Sequence, residues 1–160
     1  MLPGLVTPRV QGACLSMLWN RWCTPRRFQK RESPDNKCVL GCGGAAEDSI
    51  EHYVHCKSIR KVAYSFLRLG RLGNLNKEHF MLAYGGFSND AETLACMAVL
   101  IYAAYNATNC YRQTGGTDST TAVQHMEQQC RNAAMGHRKL SRILDSRWEE
   151  PSGPRARRSQ

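Results

Sequence analysis

Residues 38–56 read Cys38-Val39-Leu40-Gly41-Cys42-Gly43-Gly44-Ala45-Ala46-Glu47-Asp48-Ser49-Ile50-Glu51-His52-Tyr53-Val54-His55-Cys56, which is the pattern C-x3-C-x9-H-x3-C. Structural zinc takes four Cys or His ligands in a tetrahedron and draws them from closely spaced pairs. The first pair sits in a glycine-rich turn, where the backbone can curl around a metal. The second pair is expected on a helix, because Asp48-Ser49-Ile50-Glu51 has a capping residue followed three positions later by an acid. On such a helix His52 and Cys56 lie one turn apart on one face. The expectation is one structural zinc ion held by Cys38, Cys42, His52 and Cys56. A reduced set of unrelated cysteines is the competing reading. His55 is the alternative to His52: twelve residues separate it from Cys42, a finger-like spacing, but no second His follows at the finger interval. On a continuous helix it also projects about 100° away from Cys56, so His52 is preferred.

Downstream of the motif, Ile59, Val62, Phe66 and Leu69 form an apolar stripe at helical spacing, with Lys57, Arg60, Lys61 and Arg68 mostly off it. This extends the helix to about residue 69, where Gly70 and Gly73 end it. A shorter helix is expected over 76–84. A strongly apolar one with many alanines follows, from about 90 to 113. The last helix opens at Thr117 or Asp118 and carries Met126, Cys130, Ala134, Leu140, Leu144 and Trp148, with Gly136 as a weak point. Upstream, Leu15, Leu18, Trp19 and Trp22 predict an amphipathic helix over 13–22, stopped by Thr24-Pro25. The basic run Arg26, Arg27, Lys30 and Arg31 comes next, with Phe28 inside it. Such interleaving can pair with phosphate and stack on bases, or can be a solvated linker with the tryptophans in the core.

The class is therefore all-α, with about five helices around a small CCHC knuckle at 38–56. Residues 1–12 are expected to be disordered, 13–150 to form the helical domain, and 151–160 to be a disordered basic tail. The chain has 160 residues, 42% of them hydrophobic, and a formal net charge of +9. Mean hydropathy is -0.49 and the isoelectric point near 9.4, a balance that favours polyanionic partners. Arg155, Arg157 and Arg158 in the final stretch supply only part of the excess. Eight cysteines could frame a secreted disulfide scaffold. Pro3, Pro8 and Arg9, however, interrupt the opening where a leader's apolar core would stand. The longest apolar run, 94–105, is too short to span a bilayer. An intracellular protein, nuclear or cytoplasmic and not secreted, is expected, with its thiols on metal or buried.

Trp22-Cys23-Thr24-Pro25-Arg26-Arg27-Phe28, the Cys38/Cys42 pair, Asp48-Ser49-Ile50-Glu51-His52 and Cys56 together resemble a known segment. It is the zinc-binding segment that follows the reverse transcriptase domain in non-LTR (LINE-type) retrotransposon polyproteins. The resemblance covers roughly 19–66 and implies that Cys38, Cys42, His52 and Cys56 are the metal ligands. The family more commonly has a shorter gap between the cysteines and one more residue between His and Cys. It also implies a role in holding RNA or target DNA.

The polymerase itself is missing from the sequence. There is no Tyr/Phe-x-Asp-Asp motif to hold two metals, and 84–90 offers one aspartate where two adjacent ones are needed. Pro34-Asp35 is a faint echo of nuclease motifs, and the acids near the knuckle, Asp35, Glu47, Asp48 and Glu51, are read as setting turns and caps. No phosphate loop or nucleophile elbow is present. The expected function is a non-catalytic, zinc-stabilised module that binds RNA or DNA, derived from a retroelement and standing apart from its polymerase. No membrane or small-molecule substrate is implied. Its expected nucleic-acid contacts are Arg26, Arg27, Lys30, Arg31, Lys57, Arg60 and Lys61. The alternative is a protein-interaction domain in which zinc is only a folding staple.

Overall fold

The computed structural model describes residues 4–19, 21, 22, 24, 37–43, 47–72 and 91–148. Among them are six α-helices and no strand, the nearest to one being an isolated antiparallel bridge between Lys37 and Glu47. The protein is all-α. The helices are α1 (Pro8–Leu18), α2 (Ile50–His55), α3 (Lys57–Lys61), α4 (Ala91–Thr114), α5 (Ser119–Ala134) and α6 (Arg138–Trp148).

The axis of the fold is α4, 24 residues and so about 36 Å long. Ala95, Cys96, Ala98, Val99, Leu100, Ile101, Ala103, Ala104 and Ala107 on it are all buried. A helix apolar nearly all round belongs in the middle of a domain, and alanines let its neighbours approach closely. Helices α1 and α5 pack most extensively against it, with α6 at one end. The α4–α5 connection turns at Gly115 (φ 83°) and Gly116 (φ 95°). Asp118 then caps α5, its carboxylate accepting from the amides of Thr120 at 2.8 Å and Thr121 at 3.0 Å.

Several sequence expectations are corrected. The first helix starts at Pro8, whose missing N–H costs nothing at the first helical position. Leu5, Val6, Thr7 and Val10 are buried, so residues 4–12 are packed into the fold and not a disordered lead-in. The buried stripe of α1 is Val10, Ala13, Cys14 and Met17. The stripe read from the sequence has the same spacing five residues on, about 140° around the helix. Leu15 and Leu18 on it are each 44% exposed and Trp19 61%. Trp22 is buried, but beyond the helix end, between Tyr53 and Tyr105 with ring centroids 5.5 Å from each.

The expected helix over 49–69 breaks at Cys56, whose ψ of 123° is extended. It restarts as α3, then widens into a π-type turn, Val62–Phe66, closed by Leu67 N–H donating to the Val62 carbonyl at 3.0 Å. Arg68, in the left-handed region at φ 51°, then turns the chain, two residues before Gly70. The expected last helix likewise splits in two. Met135 is extended and Gly136 lies at φ 79°, and the new direction sends Leu140, Ile143 and Leu144 into the core. The two breaks add two helices to the expected five, and one expected helix falls outside the described residues, which leaves the six seen. The helix expected over 76–84 and the basic tail lie outside the described residues.

Candidate metal centre

Cys38 and Cys42 flank a tight turn in which Gly41 N–H donates to the Cys38 carbonyl at 3.3 Å. Ser49 caps α2, its Oγ accepting from the His52 amide at 3.1 Å. The cap fixes the first turn of α2 and aims His52 back at the thiols. Cys56 follows the last residue of α2 as its C-cap. The break there, and not a continuous helix, turns its thiol inward. The candidate ligand atoms of Cys38, Cys42, His52 and Cys56 all lie within 4.8 Å of one another. The Sγ atoms of Cys38 and Cys56 are 3.9 Å apart, and Cys42 Sγ is 3.2 Å from His52 Nε2.

These spacings match a small tetrahedral ion. Two thiolates at 2.3 Å from a shared tetrahedral centre stand about 3.8 Å apart, and a thiolate and an imidazole nitrogen about 3.6 Å apart. The four residues can therefore hold a metal ion with small side-chain adjustments. His55 is exposed and stands outside the cluster.

The electrostatics of the thiols bear on loading. Cys38 is pushed up to about 12, first by its hydrogen bond with Cys56 and then by burial. Cys56 is correspondingly lowered by that hydrogen bond, and burial raises Cys42. With Cys38 and Cys42 both raised, a metal must displace protons from the thiols as it binds. Raised thiol values mean that protons compete throughout the neutral range, so metal affinity should climb with pH. Competitive chelator titrations at pH 6, 7 and 8 should give a rise of at least tenfold per unit; a flat profile would mean that the thiols are not the ligands.

The surroundings of the centre include a group that sequence reading assigned elsewhere. Asp48 does not cap α2. It is buried and receives Arg112 Nε of α4 at 2.8 Å, Arg112 Nη2 at 3.4 Å and the hydroxyl of Tyr53. Arg112 Nη2 also donates to the Tyr53 hydroxyl at 2.7 Å. Burial raises the Asp48 carboxyl, and Arg112 opposes that rise by hydrogen bonding and charge. This triad ties the helix bearing His52 to the end of α4. No local pattern could have found it, because Asp48 and Arg112 are 64 residues apart. Arg112→Met would leave a buried carboxylate without its cation, which costs about 3–5 kcal/mol. Denaturant unfolding of the metal-loaded protein should register that loss; a change below about 1 kcal/mol would show the pair to be replaceable.

The knuckle is also seated on the α4–α5 turn. Thr117 N–H donates to the Val39 carbonyl at 3.1 Å. Ser58 Oγ donates to the Leu40 carbonyl at 2.9 Å and lies 2.8 Å from Ser119 Oγ. Of the expected nucleic-acid contacts, Lys57 and Lys61 are exposed on α3 and Arg60 is half-buried, directly after Cys56. Arg26, Arg27, Lys30 and Arg31 lie outside the described residues. No protein-family model, curated protein or solved structure matches the chain.

Proposed function

We propose that this protein is a zinc-stabilised module that binds RNA or DNA through phosphate contacts and carries no catalysis of its own. Three thiolates and one imidazole suit zinc over harder ions, which prefer oxygen. The observation that carries the nucleic-acid reading is the junction at Cys56. The last ligand of the candidate centre is followed at once by the helix bearing Lys57, Arg60 and Lys61, so the metal would fix where these cations point. The net charge of +9 and the resemblance to the zinc-binding segment of LINE-type polyproteins support the same reading. Under it, Arg26, Arg27, Lys30 and Arg31 form a second basic run on the other side of the knuckle in sequence.

The test is salt dependence. With zinc content fixed by native mass spectrometry, nucleic-acid affinity should fall steeply as salt rises. Neutralising Lys57, Arg60 and Lys61 together should flatten the log–log slope by about one unit for each phosphate that is no longer neutralised. Retention unaffected by that variant and by its counterpart at Arg26, Arg27, Lys30 and Arg31 would remove the reading. A second reading, a protein-interaction domain stapled by zinc, is favoured by one observation. Leu15, Leu18 and Trp19 stand exposed in a row on and just after α1, which is uncommon for large apolar groups without a partner. Salt-insensitive capture of a protein, abolished by Trp19→Ala, would favour it.

A further inference from the structure

We infer that the outward face of α6 is a second contact for nucleic acid, one that grips phosphates without reading bases; this rests on the nucleic-acid reading above. Helix α6 turns Leu140, Ile143 and Leu144 into the core and leaves Arg138, Lys139 and Arg142 exposed. The three cations fall within an arc of about 100°, and Arg138 and Arg142 are about 6 Å apart along the axis. That span is comparable to a step or two between charges on one strand of a nucleic acid. Asp145, the only acid on the helix, is exposed on the same face, about 20° from Arg138 and 60° from Arg142, so the face keeps a net charge of +2.

The fold makes no visible use of these three side chains. Among the described residues, none of them has an ion-pair or hydrogen-bond partner for its side chain. The neighbouring cations are employed. Arg147 donates to the Arg68 carbonyl at 3.3 Å and faces Glu92 at 3.9 Å. Arg131 of α5 lies over the rings of Phe66 and Trp148, at 5.0 and 4.9 Å from their centroids. Arg138 and Lys139 also occupy the first turn of α6, which holds no acid and where the helix dipole disfavours positive charge. Stability therefore does not account for their placement, whereas recruitment of a polyanion does.

A nucleic-acid backbone fits better than an anionic bilayer. A helix that docks in a membrane interface inserts its apolar face, and that face of α6 is already committed to the core. No aromatic side chain stands among the three cations, so bases have nothing to stack on, and the contact is to phosphate alone. It should be tolerant of sequence and sensitive to salt.

The experiment compares the full-length, metal-loaded protein with Arg138→Gln/Lys139→Gln/Arg142→Gln, using a random-sequence DNA duplex, a single-stranded RNA and phosphatidylserine vesicles as probes. Circular dichroism melts confirm folding, and the single variant Arg142→Gln serves if the triple variant melts early. The triple variant should flatten the log affinity–log salt slope on duplex DNA by about two to three units, to the same extent for several sequences. Arg138→Lys/Arg142→Lys should restore the slope. A wild-type slope in the triple variant, with a flattened slope in the Lys57/Arg60/Lys61 variant, overturns the α6 contact and leaves the proposed function standing. Absence of salt-dependent nucleic-acid binding by the wild type removes both. Binding to vesicles but not to nucleic acid overturns it in favour of a membrane surface, and a weakening that depends on sequence overturns the phosphate-only contact.

Discussion

Replacing His52 with Ala is expected to weaken metal binding by well over 100-fold and to unfold the segment around the knuckle. Losing a group that merely orients a ligand commonly costs 10- to 100-fold in affinity, so losing the ligand itself costs more. Three sulfur donors would remain, and Cys42 would lose the partner that now sits 3.2 Å away. In small zinc modules the binding energy is the folding energy, about 10–16 kcal/mol in finger peptides at neutral pH. The effect should spread past Cys56, because α2 and α3 are six and five residues long. Helices that short do not persist alone. A strong chelator should produce the same loss of helical signal. His55→Ala, at an exposed position outside the cluster, should leave one metal per chain by native mass spectrometry. If His55→Ala released the metal and His52→Ala did not, the arrangement of the centre described above would be wrong.

The second large effect concerns a residue without a side chain. Gly41 has φ +58°, and a Cβ built there would meet the Thr117 carbonyl oxygen at 2.3 Å and the Asp118 backbone at 2.7 Å. Backbone atoms cannot move aside as the end of a flexible side chain does. Gly41→Ala must therefore push the knuckle off the α4–α5 turn, and with it the Thr117–Val39 and Ser58–Ser119 hydrogen bonds. A loss of about 3–5 kcal/mol is expected. Gly43→Ala is the matched control: its φ is +79°, but nothing lies within 4 Å of the added Cβ. That change should cost only the left-handed strain, about 1–2 kcal/mol. Equal losses by thermal or denaturant unfolding would mean that the seating at Gly41 contributes little.

The ligand cluster and the central helix were legible from the sequence because each depends on local spacing. Cys38, Cys42, His52 and Cys56 are drawn from one short stretch, and α4 announces itself by apolar residues all the way round. What could not be read depends on contacts across the chain. Val10-Ala13-Cys14-Met17 and Leu15-Leu18-Trp19-Trp22 have identical periodicity, and the choice between them is made by the fit of the smaller stripe to its neighbours. Cys56 carries no breaker residue, so the interruption after α2 has no sequence mark; it follows from where the thiol lies. Gly136 did carry a mark, and its left-handed conformation shows that a glycine inside a periodic pattern was a corner. Asp48 fits a cap on local grounds, but Ser49 fits too, and Arg112 decides which of them leaves the helix end for the core.

The knuckle is closed twice, and the two closures span different lengths of chain. Cys38 meets Cys56 across 18 residues, whereas Asp48 meets Arg112 across 64. The chain entropy given up in ring closure grows with the logarithm of the span, so the shorter ring forms at an advantage of about 1 kcal/mol. Metal capture can then precede docking, and the loaded ring arrives at α4 and α5 as a preformed piece. Under that order of assembly the availability of free metal would set how fast the chain folds, while Gly41 and Arg112 would set how long it stays folded.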